Sequence, residues 1–304
     1  MFIGLVVGVF CFIEVMPQYS QGYMAAFIDK MDRAATIKGS KVLLIGDSNV
    51  LFGIRSDMLE DALGMPVVNM GMHGGMGQTM CMDIIQDVIQ EGDIVVALPA
   101  HYYYPAHVTD ANLAWLMLEN HVELWRGVDP RDYLSLVKAF PTYIRKALDL
   151  WINDLGNDNN TDLSRRDRNK YGDIISSGDE NSMPDGWRTG DGFMASIDVD
   201  LIEYYNKYNL FVSEKDGYFM MAAPPIIEPS VEGNEQIVDK RQEKIEDIAN
   251  FLFISNSREY IFPIEYFGVT NYHFNNKGRI IRTQQLIKDI KKWMKEGRDN
   301  NVII

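Results

Sequence analysis

The chain has 304 residues, 46% of them hydrophobic, enough to bury a substantial core and too many for a disordered polypeptide. Lys and Arg number 29 against 43 Asp and Glu, a formal charge of −14 whose field repels a polyphosphate backbone, so nucleic acid is not an expected partner. Only Cys11 and Cys81 are present, which excludes a disulfide scaffold and any multi-cysteine metal site.

In chain order, residues 1–13, MFIGLVVGVFCFI, are continuously apolar, and Glu14, Pro17 and Gln18 follow at once. The run is shorter than the ~20 residues a spanning helix needs, and no Lys or Arg precedes it as in an ordinary signal peptide. It reads two ways. As a membrane anchor or export signal over 1–20, it would put a soluble domain on the extracytoplasmic side. As a buried first strand or helix, it would be part of the core. The absence of a polar face favours the first.

Strand and helix signals then alternate. KVLLIG (41–46) is a short unalternated apolar run ending at a turn, the pattern of a parallel strand buried on both faces. SDMLEDALG (56–64) reads as a helix capped by Ser56 and stopped by Gly64. PVVNMG (66–71) is a second strand, 76–92 a second helix, and DIVVALP (93–99) a third strand. This order predicts a parallel sheet flanked by helices: an α/β fold, a three-layer α/β/α sandwich with a sheet of about five strands.

Residues 111–150 read as helical, whereas 154–186 is polar, rich in Asn, Asp and Gly, and long enough to be a functional loop over the active face. A helix over 197–217, a buried strand over 217–225 and a charged helix over 232–253 follow. The last helix, 277–297, places Ile281, Leu286, Ile290 and Trp293 on one apolar face. No repeat and no proline-rich linker divides the chain, so 38–295 is expected to form one domain.

Ligand sites in open parallel sheets form beyond the carboxyl ends of the strands. Ser48 lies just past the first strand, where it can be a nucleophile or a helix cap. The second strand ends in NMGMHGG (69–75), whose glycines let backbone N–H groups approach a ligand. The third ends in LPAHYYYP (98–105), which brings His101 and the tyrosines at 102–104 to the same edge, as a sugar-stacking platform or a packed loop rim. TNYHFNNKGR (270–279) delivers His273 from a polar loop directly before a helix. His73 can contact substrate or hold its own loop. His107 and His121 have no ligand-like spacing to an acidic residue, so neither a metal nor a cofactor is expected.

GDSN (46–49), NMGMHGG and YHFNNKGR, in this order and at these distances, resemble the SGNH or GDSL-like hydrolase superfamily over 38–295. The nearest likeness is to the branch associated with bacterial cell-surface polysaccharide modification, with KYGD (170–173) as a recurrent loop element. The resemblance implies a flavodoxin-like fold, Ser48 as nucleophile, His273 as base, and the N–H groups of Ser48 and Gly74 as oxyanion donors. It implies a serine-dependent esterase or acyltransferase, with an acylated carbohydrate or other small ester as its partner. Two positions depart from the pattern. His101 stands where the family has an oxyanion-binding Asn, and Thr270 stands where it has the Asp that orients the base; Glu265 is the nearest upstream carboxylate. These departures keep a second reading open, a weak or inactive glycan-binding or assembly protein.

Overall fold

The computed structural model describes residues 22–101, 107–153, 164–180, 182–184 and 197–296, together with Gly4, Gly8, Cys11 and Phe12. The rest of the apolar N-terminal run, the tyrosines at 102–104 and residues 154–163, 181, 185 and 186 of the 154–186 loop lie outside the described residues. Among the described residues no helix is long and apolar enough to cross a membrane.

The runs read as buried strands are β1 (Val42–Ile45), β2 (Val67–Asn69), β3 (Ile94–Ala97) and β4 (Tyr218–Met221). A short pair, β5 (Ile226–Ile227) and β7 (Ile261–Phe262), forms a separate two-stranded sheet, and β6 (Leu252–Phe253) edges the main one. The main sheet has five parallel strands in the order β2-β1-β3-β4-β6. Strand order reverses between β1 and β3, the point at which open α/β sheets form a ligand crevice beyond the carboxyl ends of their strands.

Side chains alternate across each strand and feed two cores, which is why the strand sequences are almost wholly apolar, Asn69 at the end of β2 being a polar exception. Leu43, Ile45, Val68, Val95, Ala97 and Phe219 face one cluster. It is covered by α1 (Ala26–Thr36), α4 (Gln78–Ile85), α5 (Ala111–Leu118), α6 (Tyr133–Asn153), α7 (Val199–Glu214) and α8 (Gln236–Ile248). Val42, Leu44, Val67, Ile94, Val96 and Met220 face the other, under α2 (Ser48–Gly53), α3 (Ser56–Leu63) and α9 (Asn276–Glu296). The molecule is therefore a three-layer α/β/α sandwich.

Three local expectations are corrected. Ser56 does not cap α3: it is the first helical residue, and its hydroxyl donates to Asp173 at 2.6 Å. The predicted 76–92 helix is divided into a 3-10 turn over Gly74–Met76, α4, and a second 3-10 turn over Gln86–Val88, with Gly77 at φ 69° breaking the first junction. In α9, Leu286, Ile290 and Trp293 are buried as expected but Ile281 remains 37% exposed; Arg282 is buried instead, beneath the Phe274 ring and donating to the Asn49 carbonyl. A buried arginine is invisible to an apolar-periodicity reading, because its burial depends on carbonyls brought from elsewhere in the chain.

Candidate active site

The turn after β1 needs glycine at 46, since a Cβ there would lie 2.5 Å from the Leu98 carbonyl oxygen. That close approach joins the ends of β1 and β3. Asp47 then caps α2, its Oδ1 accepting from the Asn49 N–H at 2.7 Å and from Asn49 Nδ2 at 2.7 Å. Asn49 Nδ2 also donates to Leu98 O at 2.9 Å. Burial raises the Asp47 carboxyl above the ordinary range, offset in part by the Asn49 hydrogen bonds and the Arg282 charge. Asp47 therefore supplies the cap, and the half-buried Ser48 side chain is left free of that role. As the first residue of its helix, Ser48 has an N–H that no carbonyl of the same helix can accept.

His273 arrives from the other end of the chain, and its Nε2 lies 2.8 Å from Ser48 Oγ. The loop that carries it is held by Asn275, whose Oδ1 accepts from the N–H groups of Lys277 and Gly278 and whose Nδ2 donates to the Glu265 and Phe267 carbonyls. Gly278 is required because a Cβ would meet the Tyr266 carbonyl. The imidazole packs against Phe52 and Tyr272, with ring centroids at 4.8 and 4.4 Å. Burial, then the neighbouring His73 and His101, lowers its pKa to about 3. Among the described residues no carboxylate offsets these effects. Thr270 accepts the His273 backbone N–H at 3.1 Å, and the Glu265 side chain does not bond the ring.

Gly74 opens the 3-10 turn beyond β2 and lines, with Gly46, Asp47, Met72, His73 and Gln78, a cavity of ≈ 10 Å³, room for about one water, beside Ser48 in the chain. His73 holds its own loop, Nδ1 accepting from the Gly75 N–H at 3.0 Å. His101 sits one ring away from the base: it meets Tyr272 edge-on at 5.2 Å, and Tyr272 in turn meets His273. Burial lowers the His101 pKa to about 4, so at neutral pH it is an uncharged ring carrying one N–H. His107 and His121 stand elsewhere, each beside one acid: His107 is 3.7 Å from Asp132, and His121 is 3.1 Å from Glu123, a pairing the sequence reading did not assign.

Two supports of the site escaped sequence reasoning. Lys30 of α1 is buried, and its ammonium donates to the Gly71 carbonyl at the base of the glycine-rich loop. Burial, with the Arg168 charge second, pushes its pKa well below that of an ordinary lysine. Asp173, in the KYGD element, accepts from the Ser56 N–H and hydroxyl, from Asn69 Nδ2 and from Asn169 Nδ2. Asn69 also turns its Oδ1 to the Gly71 N–H at 2.9 Å. Asp173 thereby fastens the second strand's exit to the start of α3. An apolar helix pattern carries no sign that a lysine within it is buried, whereas KYGD was visible as a motif without its role.

No protein-family model matches this chain, and no curated protein matches its sequence.

Proposed function

We propose that this protein is a serine-dependent hydrolase or transferase of SGNH type, acting on a small O-acyl ester, an acetylated cell-surface glycan being the reading that the motif resemblance favours. The observation that carries it is the 2.8 Å approach of His273 Nε2 to Ser48 Oγ beyond the carboxyl edge of a parallel sheet. Ser48 Oγ attacks the acyl carbon while its proton passes to Nε2, and the N–H groups of Ser48 and Gly74 receive the developing oxyanion. Collapse expels the sugar oxygen, which takes the proton from His273 and leaves an acyl-serine. Water or a second sugar hydroxyl, deprotonated by the same ring, then releases the acyl group. In this reading the domain is membrane-anchored or exported and works on the extracytoplasmic side.

The second reading, a weak or inactive glycan-binding or assembly protein, is favoured by the lack, among the described residues, of a carboxylate to orient His273 and stabilise its imidazolium. A fluorophosphonate separates the two. Covalent labelling of the wild type that disappears in Ser48→Ala is the outcome expected of the enzyme. An unlabelled wild type that retains glycan binding would establish the binding protein instead.

A further inference from the structure

The long helix α6 buries Leu136, Tyr143 and Ala147, spaced seven and four residues apart, against the core. Its opposite side is apolar as well. Leu134 (62% exposed), Val137 (67%), Leu148 (36%) and Ile152 (73%) recur with Pro141 at spacings of three, four, seven and four residues, so they form one outward stripe about five turns long. Exposed apolar residues scattered singly need no explanation, but a continuous stripe along a helix does.

Charge says what fits the stripe. Lys138, Arg145 and Lys146 are exposed along one flank of it, and the helix carries only Asp149 against them, in a chain whose net charge is −14. An apolar stripe edged with Lys and Arg is the pattern of a helix lying in the plane of a bilayer interface, and a basic strip on an otherwise acidic molecule selects anionic headgroups. The helix is also rigidly mounted. Trp115 of α5 donates its indole N–H to the Leu136 carbonyl at 2.9 Å and stacks on Tyr143 at 5.2 Å, and α5 in turn rests on the 3-10 turn that begins at Gly74.

We propose that the outer face of α6 docks on an anionic lipid surface, with Leu134, Val137, Leu148 and Ile152 beneath the headgroups and Lys138, Arg145 and Lys146 against their phosphates. The docking surface lies two packed elements from Gly74, so a substrate presented at a membrane would meet the crevice without leaving that surface. This inference stands independently of whether Ser48 is a nucleophile and of what the N-terminal run does.

The test uses the full chain with Cys11→Ser and a polarity-sensitive fluorophore on Val137→Cys; Cys81 is buried, its thiol pushed up to about 12, and stays unlabelled. With phosphatidylcholine vesicles holding about 30% phosphatidylglycerol, the probe should shift to the blue and be quenched by acyl-chain bromine, while the same probe on Lys291→Cys, across the sheet, should stay in water. Replacing Lys138, Arg145 and Lys146 by Gln should lower the vesicle concentration dependence of the Val137→Cys signal about a hundredfold in affinity, with no such loss on pure phosphatidylcholine. A probe at 137 that remains wet while the chain floats with the vesicles would overturn the proposal. So would a blue shift already complete without lipid, which would identify a second copy or another segment of the chain as the occupant. Failure of the full chain to bind the vesicles at all would overturn it too.

Discussion

The two ends of the central sheet solve the problem of burying ionisable groups in opposite ways. At the amino ends of β1 and β3, Lys41 and Asp93 form an ion pair at 2.7 Å with both side chains wholly buried, and Asp93 also accepts from the backbone N–H groups of Lys41 and Gln90. At the carboxyl ends, no carboxylate among the described residues bonds the His273 ring, and burial brings the pKa values of His273 and His101 down to about 3 and about 4. A charge buried in the interior persists where a partner of opposite sign is held against it, and a titratable ring buried without one stays neutral. The first arrangement locks strands together. The second keeps a proton acceptor free beside a serine hydroxyl.

The largest effect is expected from breaking the closed end. Lys41→Met leaves the Asp93 carboxylate buried without its counter-charge and should cost about 4 kcal/mol of stability, read as a lower urea midpoint. The double variant Lys41→Met/Asp93→Leu should recover much of that loss, and neither should alter the phosphonate labelling rate of the folded fraction. If the single variant unfolds at the wild-type midpoint, the pair does not hold the strands.

At the open end, His101 stands where the SGNH pattern has its oxyanion-binding Asn, and it is tested as a third donor beside the Ser48 and Gly74 N–H groups. His101→Ala should lower ester turnover by about 3 kcal/mol of transition-state stabilisation, on the order of a hundredfold. His101→Asn should retain or raise turnover, because an amide N–H replaces the imidazole's. Equal rates in the two variants would remove His101 from the mechanism and leave it as a ring packed on Tyr272.

The smallest effect is a pH response that stays flat. A general base works in its deprotonated form, and with the His273 pKa lowered to about 3 a fall from pH 8 to pH 5 does not protonate it. The labelling rate should therefore vary by less than about twofold across that range, with its acid limb below pH 5. A limb centred near 6.5 would mean that the ring is solvated or paired in solution, and the contrast between the two sheet ends would fail.

Much of this molecule was legible in its residues. Strands buried on both faces must be short, apolar and unalternated, so VLLI, VVN and IVVA announced the sheet, and Gly-rich turns at their carboxyl ends announced where a site would form. Ser48 and His273 were named from motif and position, and the fold brings them to 2.8 Å. What periodicity does not encode is which polar group meets which across distant segments. Lys30 under Gly71, Arg282 on the Asn49 carbonyl and Asp173 between Ser56 and Asn69 are all buried by partners far away in the sequence. The same holds for His101: its position after β3 followed from the sequence, but its ring partner, Tyr272, is supplied by the loop that carries the base. Local sequence determines which face of an element is apolar, because that depends only on spacing. Only the tertiary structure decides which polar side chains can leave water, because a buried polar group needs a partner that the assembled fold must bring to it.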